Sequence, residues 1–171
     1  MIVVAGMPRS GTSLIMQTLH LLGMPLFGIR FPIRRDKANN PEGYWEHIDT
    51  MSGKLEELAG DPEICVKVHL RKLVEVADWS LIDKVILCTR DVETQATKQQ
   101  ETKTGRSSHA RSKKQINTWH GKFGDVQTTN GVPTLTVDLA DIRAQPAQHV
   151  NAIKAFVHAP LSTARAIANI R

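Results

Sequence analysis

Residues 6–13, GMPRSGTS, are of the types that bind a phosphate or sulfate group. They follow the apolar, β-branched run IVVAG at 2–6 and precede a segment with helical spacing that begins at Leu14 and ends at Gly23. A loop between a strand and a helix offers an anion consecutive backbone amides and a positively polarised helix N-terminus. The planar cation of Arg9 adds to this. The segment therefore predicts an anion-binding loop.

The same loop differs from the standard loop of ATP- and GTP-binding enzymes. Gly6, Ser10 and Gly11 let the backbone approach an anion closely, and Thr12 and Ser13 add hydroxyl donors. The standard pattern is G-x-x-x-x-G-K-S/T, in which the lysine reaches the terminal phosphates and the last hydroxyl holds magnesium. Thr12 stands where that lysine is expected. A P-loop nucleotide kinase or hydrolase is therefore the alternative rather than the leading hypothesis.

Lys67 and His69 form a second pair of chemically useful residues. They lie in the segment VKVHL at 66–70, which ends a strand-like run. Alternation along a strand places both side chains on one face, and ligands of open parallel sheets gather at the carboxyl ends of the strands. Because an ordinary histidine has a pKa of about 6.5, His69 is a suitable general base for a hydroxyl.

The elements that must position these residues alternate between strand and helix. The strand candidates are IVVAG at 2–6, EICVKV at 63–68, KVILCT at 84–89 and VPTLTVDL at 132–139. This alternation predicts a three-layer α/β fold with a central, mainly parallel sheet of about four to five strands and helices on both faces. We also expect a helix from Trp45 to Leu58, a helix that begins at the capping acid Asp91, a basic, mobile stretch at 106–115 and a further helix through Trp119.

Length and composition limit the classes of protein to which the chain can belong. A chain of 171 residues, 41% of them hydrophobic, predicts a single domain over 1–171, and a formal charge of +5 favours anionic partners. Cys65 and Cys88 lie in apolar runs without a disulfide framework, which favours the reducing cytoplasm. Arg9 interrupts the apolar N-terminal segment, which therefore predicts a strand, loop and helix rather than a signal peptide or membrane span.

The loop resembles the 5′-phosphosulfate loop of the sulfotransferase superfamily, P-K/R-S-G-T-T/S. The matching residues are Pro8, Arg9, Ser10, Gly11, Thr12 and Ser13. The resemblance implies a P-loop-type fold and transfer of a sulfuryl group from 3′-phosphoadenosine 5′-phosphosulfate (PAPS) to an acceptor hydroxyl, with Arg9 contacting the transferred group. A sulfuryl group carries less charge than a terminal phosphoryl, so fixed cations and amides can stabilise its transfer without a metal. We therefore expect no metal site.

Two further segments resemble the same family and offer rival bases. Lys67 and His69 match a K-T-H-L-P segment in which the histidine removes the acceptor proton and the lysine stabilises the transition state. Residues 40–46, NPEGYWE, resemble an N-P-x-G-Y/F-x-E run, which makes Glu46 an alternative base. The sequence leaves both bases open.

The segment VILCTRD at 85–91 resembles the strand that leads to the 3′-phosphate site of that family. The resemblance implies that Arg90 binds the 3′-phosphate. Lys98 occupies the position where the family has a serine ligand, and we expect it to act as the second phosphate ligand. The R-K-G segment that completes this site in cytosolic members is missing, although the cations of 106–114 could replace it.

Two other classes of function remain open at this point. The basic stretch is compatible with a non-catalytic module that binds anions or nucleic acid, but few aromatic residues accompany it, so we expect no nucleic-acid partner. A degenerate sulfotransferase that binds its donor without turnover is also possible. The expected partners are a nucleotide sulfate donor and an acceptor, without a membrane span.

Overall fold

The computed structural model describes residues 1–30, 43–47, 50, 54–58, 61, 63–102 and 108–170. Its strands are β1 (Ile2–Gly6), β2 (Cys65–His69), β3 (Lys84–Thr89) and β4 (Thr134–Asp138). Its helices are α1 (Thr12–Leu21), α2 (Leu70–Val74), α3 (Val92–Thr102), α4 (His109–Asn130), α5 (Leu139–Ala144), α6 (Pro146–Val157) and α7 (Ala164–Asn169). Short 3-10 helices span Glu56–Leu58 and Trp79–Leu81.

The four strands of the described chain form one parallel sheet in the order β2-β1-β3-β4. Gly6, the last residue of β1, lies opposite His69 of β2 on one side and Cys88 of β3 on the other. The carboxyl ends of these three strands therefore meet at one edge of the sheet. The predicted α/β fold with a mainly parallel central sheet is confirmed.

Alternation along the strands divides the core between the two faces of the sheet. Ile2 and Val4 of β1 pack in a cluster with residues of α1, α5, α6 and α7. Val3 and Ala5 point the other way and pack with residues of α2, α3 and α4. Strands covered on both faces must be apolar throughout, which explains the unbroken run at 2–6. The helices on both faces confirm the three-layer prediction.

The strand order reverses direction next to β1. The chain leaves β1 towards β2 on one side, whereas β3 and β4 lie on the other side. The helices that follow the adjacent strands β1 and β3, which are α1 and α3, cover opposite faces, so the loops after these strands separate and leave a crevice at their carboxyl ends. This topology, rather than any single residue, places a crevice between the loop after β1 and Arg90 after β3.

One prediction about local structure is wrong in the described residues. The helix expected from Trp45 is absent at 45–47, because Glu46 pairs antiparallel with Ile29 and the backbone of Trp45 is left-handed, with φ 55°. Residues 109–115 of the basic stretch belong to α4, which begins at His109 where Ser108 caps its first turn, so the further helix expected through Trp119 is confirmed. Within the described residues, we find no helix with both the length and the apolar character needed to cross a membrane.

Candidate functional site

The crevice at the carboxyl ends of the strands is a cleft of about 400 Å³. Its lining is made by the loop after β1, the first turn of α1, the ends of β2 and β3, the segment at 44–46 and α5. The lining residues are Gly6, Met7, Pro8, Arg9, Gly11, Thr12, Ser13, Leu14, Tyr44, Glu46, Lys67, Val68, His69, Arg90, Leu139 and Arg143. Residues far apart in sequence thus surround one cavity.

The loop after β1 has the shape of an anion cradle. Arg9 and Gly11 both adopt left-handed backbone conformations, with φ 71° and φ 100°, and Gly11 is the N-cap of α1 without a side-chain cap. The first amides of a helix have no intrahelical acceptor, so those of Thr12 and Ser13 point to the cleft end of α1. A Cβ atom on Gly6 would lie 2.2 Å from Ser10 Oγ and 3.0 Å from the Cys88 carbonyl oxygen, so a larger residue here would displace the Ser10 side chain and crowd the backbone of β3.

Two glutamines of α3 hold this loop from below. Gln95, which is fully buried, donates from Nε2 to the carbonyl oxygens of Met7 at 3.2 Å and Pro8 at 3.0 Å. Gln99, one turn later, donates to the same Pro8 oxygen at 2.9 Å. Because the Met7 and Pro8 carbonyls accept from α3, and the Ser10 amide donates to the Met7 carbonyl at 3.1 Å, hydrogen bonds fix the loop in this shape. Sequence reasoning missed both glutamines, since only their spacing of four residues hints at a common role.

Lys67 lies at the floor of the cleft and is only 5% exposed. Its ammonium donates to Glu46 Oε1 at 2.6 Å, Ser13 Oγ at 3.1 Å and the Tyr44 carbonyl at 3.4 Å. Burial lowers the pKa of Lys67 below its ordinary value, and the Glu46 carboxylate partly offsets that effect. The strand, the loop helix and the segment at 44–46 are thus joined through one buried cation.

Hydrogen bonds hold both ends of the segment at 43–46, which carries Glu46. Its backbone pairs with Ile29, through Ile29 N–H to Glu46 O at 2.8 Å and Glu46 N–H to Ile29 O at 3.1 Å. Buried Gln17 of α1 donates to the Gly43 carbonyl at 2.8 Å. Glu46 keeps 34% of its side chain exposed, so its carboxylate contacts both Lys67 and the cleft. Residues 40–42 of the predicted NPEGYWE motif lie outside the described residues.

His69 and Arg90 take up opposite sides of the loop. His69 ends β2, and its extended backbone, with φ −69° and ψ 130°, starts α2. Arg90 follows β3 and donates from Nη1 to the Arg9 carbonyl at 3.4 Å. Asp91 caps α3 by accepting from the Thr94 amide at 2.9 Å, and this hydrogen bond lowers the pKa of Asp91. The capping acid predicted at Asp91 is confirmed.

Two predicted ligands lie apart from the cleft lining. Ser10 is buried, and its Oγ has no hydrogen-bond partner among the described residues. Lys98 projects from α3, where its ammonium lies 2.8 Å from Glu101 Oε2 in an exposed ion pair. Its role as a phosphate ligand stays a prediction. Arg143 of α5, in contrast, lines the cleft although sequence analysis did not select it.

The charges of the cleft suit a polyanion. Four arginine and lysine side chains line it, those of Arg9, Lys67, Arg90 and Arg143, against the single carboxylate of Glu46. Fixed cations and amides inside a partly enclosed site stabilise charge that develops on a bound group, because they need no reorganisation. The described residues contain no group of three His, Cys, Asp or Glu side chains placed to hold a metal ion.

Comparison with solved structures identifies related folds. The chain is similar to retinol dehydratase in complex with androsterone and the inactive cofactor PAP, at 14% identity and TM-score 0.55, with 99% of this chain and 62% of that chain covered. It is similar to mouse sulfotransferase SULT7A1 complexed with PAP, at 13% identity and TM-score 0.56, with the same coverage. The chain thus spans about 62% of the length of both proteins.

A third similar structure is the YorR protein from Bacillus subtilis in complex with phosphorylated GDP, at 12% identity and TM-score 0.54. Here 95% of this chain and 100% of that chain are covered. No protein-family model and no curated protein sequence matches the chain. At these identities the similarities show the fold alone.

Proposed function

We propose, from the premise that this chain has the fold of PAP-bound sulfotransferases, that it transfers a sulfuryl group from PAPS to an acceptor hydroxyl. The observation that carries the proposal is the composition of the cleft. An anion cradle without the P-loop lysine lies beside the buried ammonium of Lys67 and beside His69. Sulfuryl transfer needs fixed cations and a general base but no magnesium ligand, so it uses every one of these groups.

We propose that the donor binds in the cleft, from the loop after β1 to the end of β3. The amides of the first turn of α1, with Thr12, Ser13 and Arg9, would hold the 5′-phosphosulfate, while Pro8 and Gly11 shape the loop. Arg90, which also lines the cleft, would hold the 3′-phosphate. The buried Ser10 hydroxyl, which has no hydrogen-bond partner among the described residues, would serve as a polar group beneath the loop. PAPS supplies the sulfuryl group and a stable nucleotide leaving group.

We assign the base role to His69 and the electrostatic role to Lys67. The acceptor oxygen attacks sulfur, the bond between sulfur and the bridging oxygen of the donor breaks, and PAP leaves with the added negative charge. His69 accepts the acceptor proton, and the Lys67 ammonium stabilises charge on the transferred group. Glu46 already accepts a hydrogen bond from Lys67, so we assign it the role of orienting that ammonium rather than of base.

Calorimetric titration with PAP in the absence of metal tests donor binding. We expect a Kd of about micromolar order for the unaltered chain, at least tenfold weaker binding for Arg9→Ala, and unchanged binding for the control Arg165→Ala. Arg165 is an exposed cation of α7 outside the cleft lining. Absence of PAP binding would refute the proposal. His69→Ala should keep PAP affinity and lose turnover. Retained turnover with lost PAP affinity would refute the assignment of His69 as the general base.

A nucleotide kinase or hydrolase is the second candidate, since the similar YorR structure contains phosphorylated GDP. Such an enzyme requires magnesium-dependent binding of a nucleoside triphosphate. Thr12 at the position of the phosphate-binding lysine disfavours it. Tighter binding of magnesium ATP or GTP than of PAP in the same titration would select this candidate instead.

A further inference from the structure

The cleft continues into a second groove between α2 and α4, which we call the α2–α4 groove. Its outer part encloses about 350 Å³ and is lined by Arg71, Arg111, Lys114, Gln115, Thr118 and Trp119. An inner part of about 250 Å³ shares Arg71, Gln115 and Trp119 with it and reaches His69 and the loop after β1. The groove therefore leads from the surface of α4 to the proposed base.

The groove shares Met7, Pro8 and His69 with the cleft but differs from it in the rest of its lining. Arg9 and Arg90, which belong to the loop and to β3, are absent from its lining, and His69 is the titratable residue common to both cavities. A molecule in the groove could thus approach His69 while a nucleotide occupies the cleft. That arrangement is what a two-substrate transfer requires.

The residues of α4 that line the groove form a row on one face of the helix. Arg111, Lys114, Gln115, Thr118 and Trp119 follow an i, i+3, i+4, i+7, i+8 pattern and extend over roughly 12 Å, with both cations in the first half of the row. The Trp119 ring has Arg71 Cζ 5.4 Å from its centroid and Lys122 Nζ 4.5 Å from it. These cation–π contacts hold two further positive charges beside the row.

The described lining of the groove contains no carboxylate. Glu75 lies next to Arg71, with Arg71 Nε 3.4 Å from Glu75 Oε1. This ion pair is exposed and its N–O distance is long, so a ligand can readily replace Glu75 as the partner of Arg71. A ligand of the groove must therefore supply negative charge. The lined face of α4 extends over roughly 12 Å, which is longer than a single small ring, so it also favours an extended ligand.

The neutral residues of the lining narrow the ligand further. The Gln115 amide and the Thr118 hydroxyl can pair with hydroxyl groups, while Arg111 and Lys114 suit carboxylates. Trp119, the aromatic residue of the lining, is engaged by cations, which disfavours a platform for stacked nucleic-acid bases. Hydroxyls and carboxylates occur together along a carbohydrate chain that contains uronic acids.

We propose that the α2–α4 groove binds the acceptor, and that this acceptor is an acidic oligosaccharide. The proposal rests on the sulfuryl transfer proposed above, because it makes a hydroxyl of the saccharide the group that meets His69. Arg111 and Lys114 would bind its carboxylates away from the reacting hydroxyl and so select acidic over neutral chains.

The test is calorimetric titration with an unsulfated chondroitin hexasaccharide, with and without PAP. Maltohexaose serves as the neutral saccharide of equal length, and an acidic peptide and a single-stranded DNA serve as other polyanions. We expect chondroitin to bind at least tenfold more tightly than the three other probes. The double variant Arg111→Glu/Lys114→Glu should lose at least tenfold in chondroitin affinity, whereas the control Arg165→Glu should lose less than twofold. PAP affinity should stay within twofold in both variants.

Three results would overturn the acceptor proposal while the sulfuryl-transfer proposal stands. Chondroitin could fail to bind although PAP binds, maltohexaose could bind equally well, or the peptide or DNA could bind more tightly. Loss of PAP binding in the double variant would instead assign Arg111 and Lys114 to the donor site. Failure of PAP to bind the unaltered chain would refute the transfer proposal on which this inference rests.

Discussion

Replacing Glu46 by glutamine tests the electrostatic design of the cleft. The change keeps the size of the side chain but removes the carboxylate that lies 2.6 Å from the ammonium of buried Lys67. Breaking a fully buried ion pair costs about 3–5 kcal/mol, because the remaining charge is left desolvated. Glu46 is 34% exposed, and Ser13 and the Tyr44 carbonyl still accept from Lys67, so the expected cost is smaller. We expect about 2 kcal/mol of lost unfolding free energy at pH 7.

The pH dependence of this loss identifies its cause. Burial lowers the pKa of Lys67 in the folded chain, and without the Glu46 carboxylate, which raises it, the pKa falls further. Between that folded-state pKa and the unfolded value of about 10.4, the unfolded chain binds more protons, so stability rises with pH. The cost of Glu46→Gln should therefore be smaller at pH 9.5 than at pH 7, because Lys67 can then become neutral in the folded variant.

Urea denaturation at the two pH values measures both quantities. Glu101→Gln is the matched control, because Glu101 forms an exposed pair with Lys98, and its cost should stay within about 0.5 kcal/mol at either pH. In a Lys67→Met background, Glu46→Gln should cost much less than in the unaltered chain. A cost that is equal at both pH values, or unchanged by Lys67→Met, would refute the assignment of the loss to the buried ammonium.

Three further predictions concern the loop and the core. Gly6→Ala should lower stability by about 1–3 kcal/mol and weaken PAP binding, because its Cβ would lie 2.2 Å from Ser10 Oγ, and an unchanged melting temperature would contradict this. Gln95→Leu should weaken PAP binding about tenfold, since it removes the donor that ties the Met7 and Pro8 carbonyls to α3 and leaves Gln99 as the α3 donor to Pro8, and unaltered affinity by calorimetry would disprove that support. Burial raises the pKa of the Cys65 and Cys88 thiols to about 12, so neither should react with iodoacetamide at pH 8 until the chain unfolds, and rapid alkylation in the native state would count against their burial.

Local patterns predicted the regular elements well. The apolar runs gave β1 and β3 within a residue of their ends, and the capping acid Asp91 marked the start of α3, because these signals depend on neighbours in sequence. The helix expected at Trp45 failed for a tertiary reason. Pairing of Glu46 with Ile29 and its ion pair with Lys67 outweigh the weak helical preference of that segment.

The sequence alone predicted the α/β class, an anion site in the loop at 6–13 and the positions of Lys67 and His69 on a strand, since each rests on residue types within a few positions. Only the tertiary structure decided that Arg143 lines the same cleft, that Gln95 supports the loop and that Lys67 is paired with Glu46. These contacts join residues from separate elements, and their geometry depends on strand order and helix packing. Because one-dimensional spacing contains no information on such distances, the folded chain was needed to assemble the site.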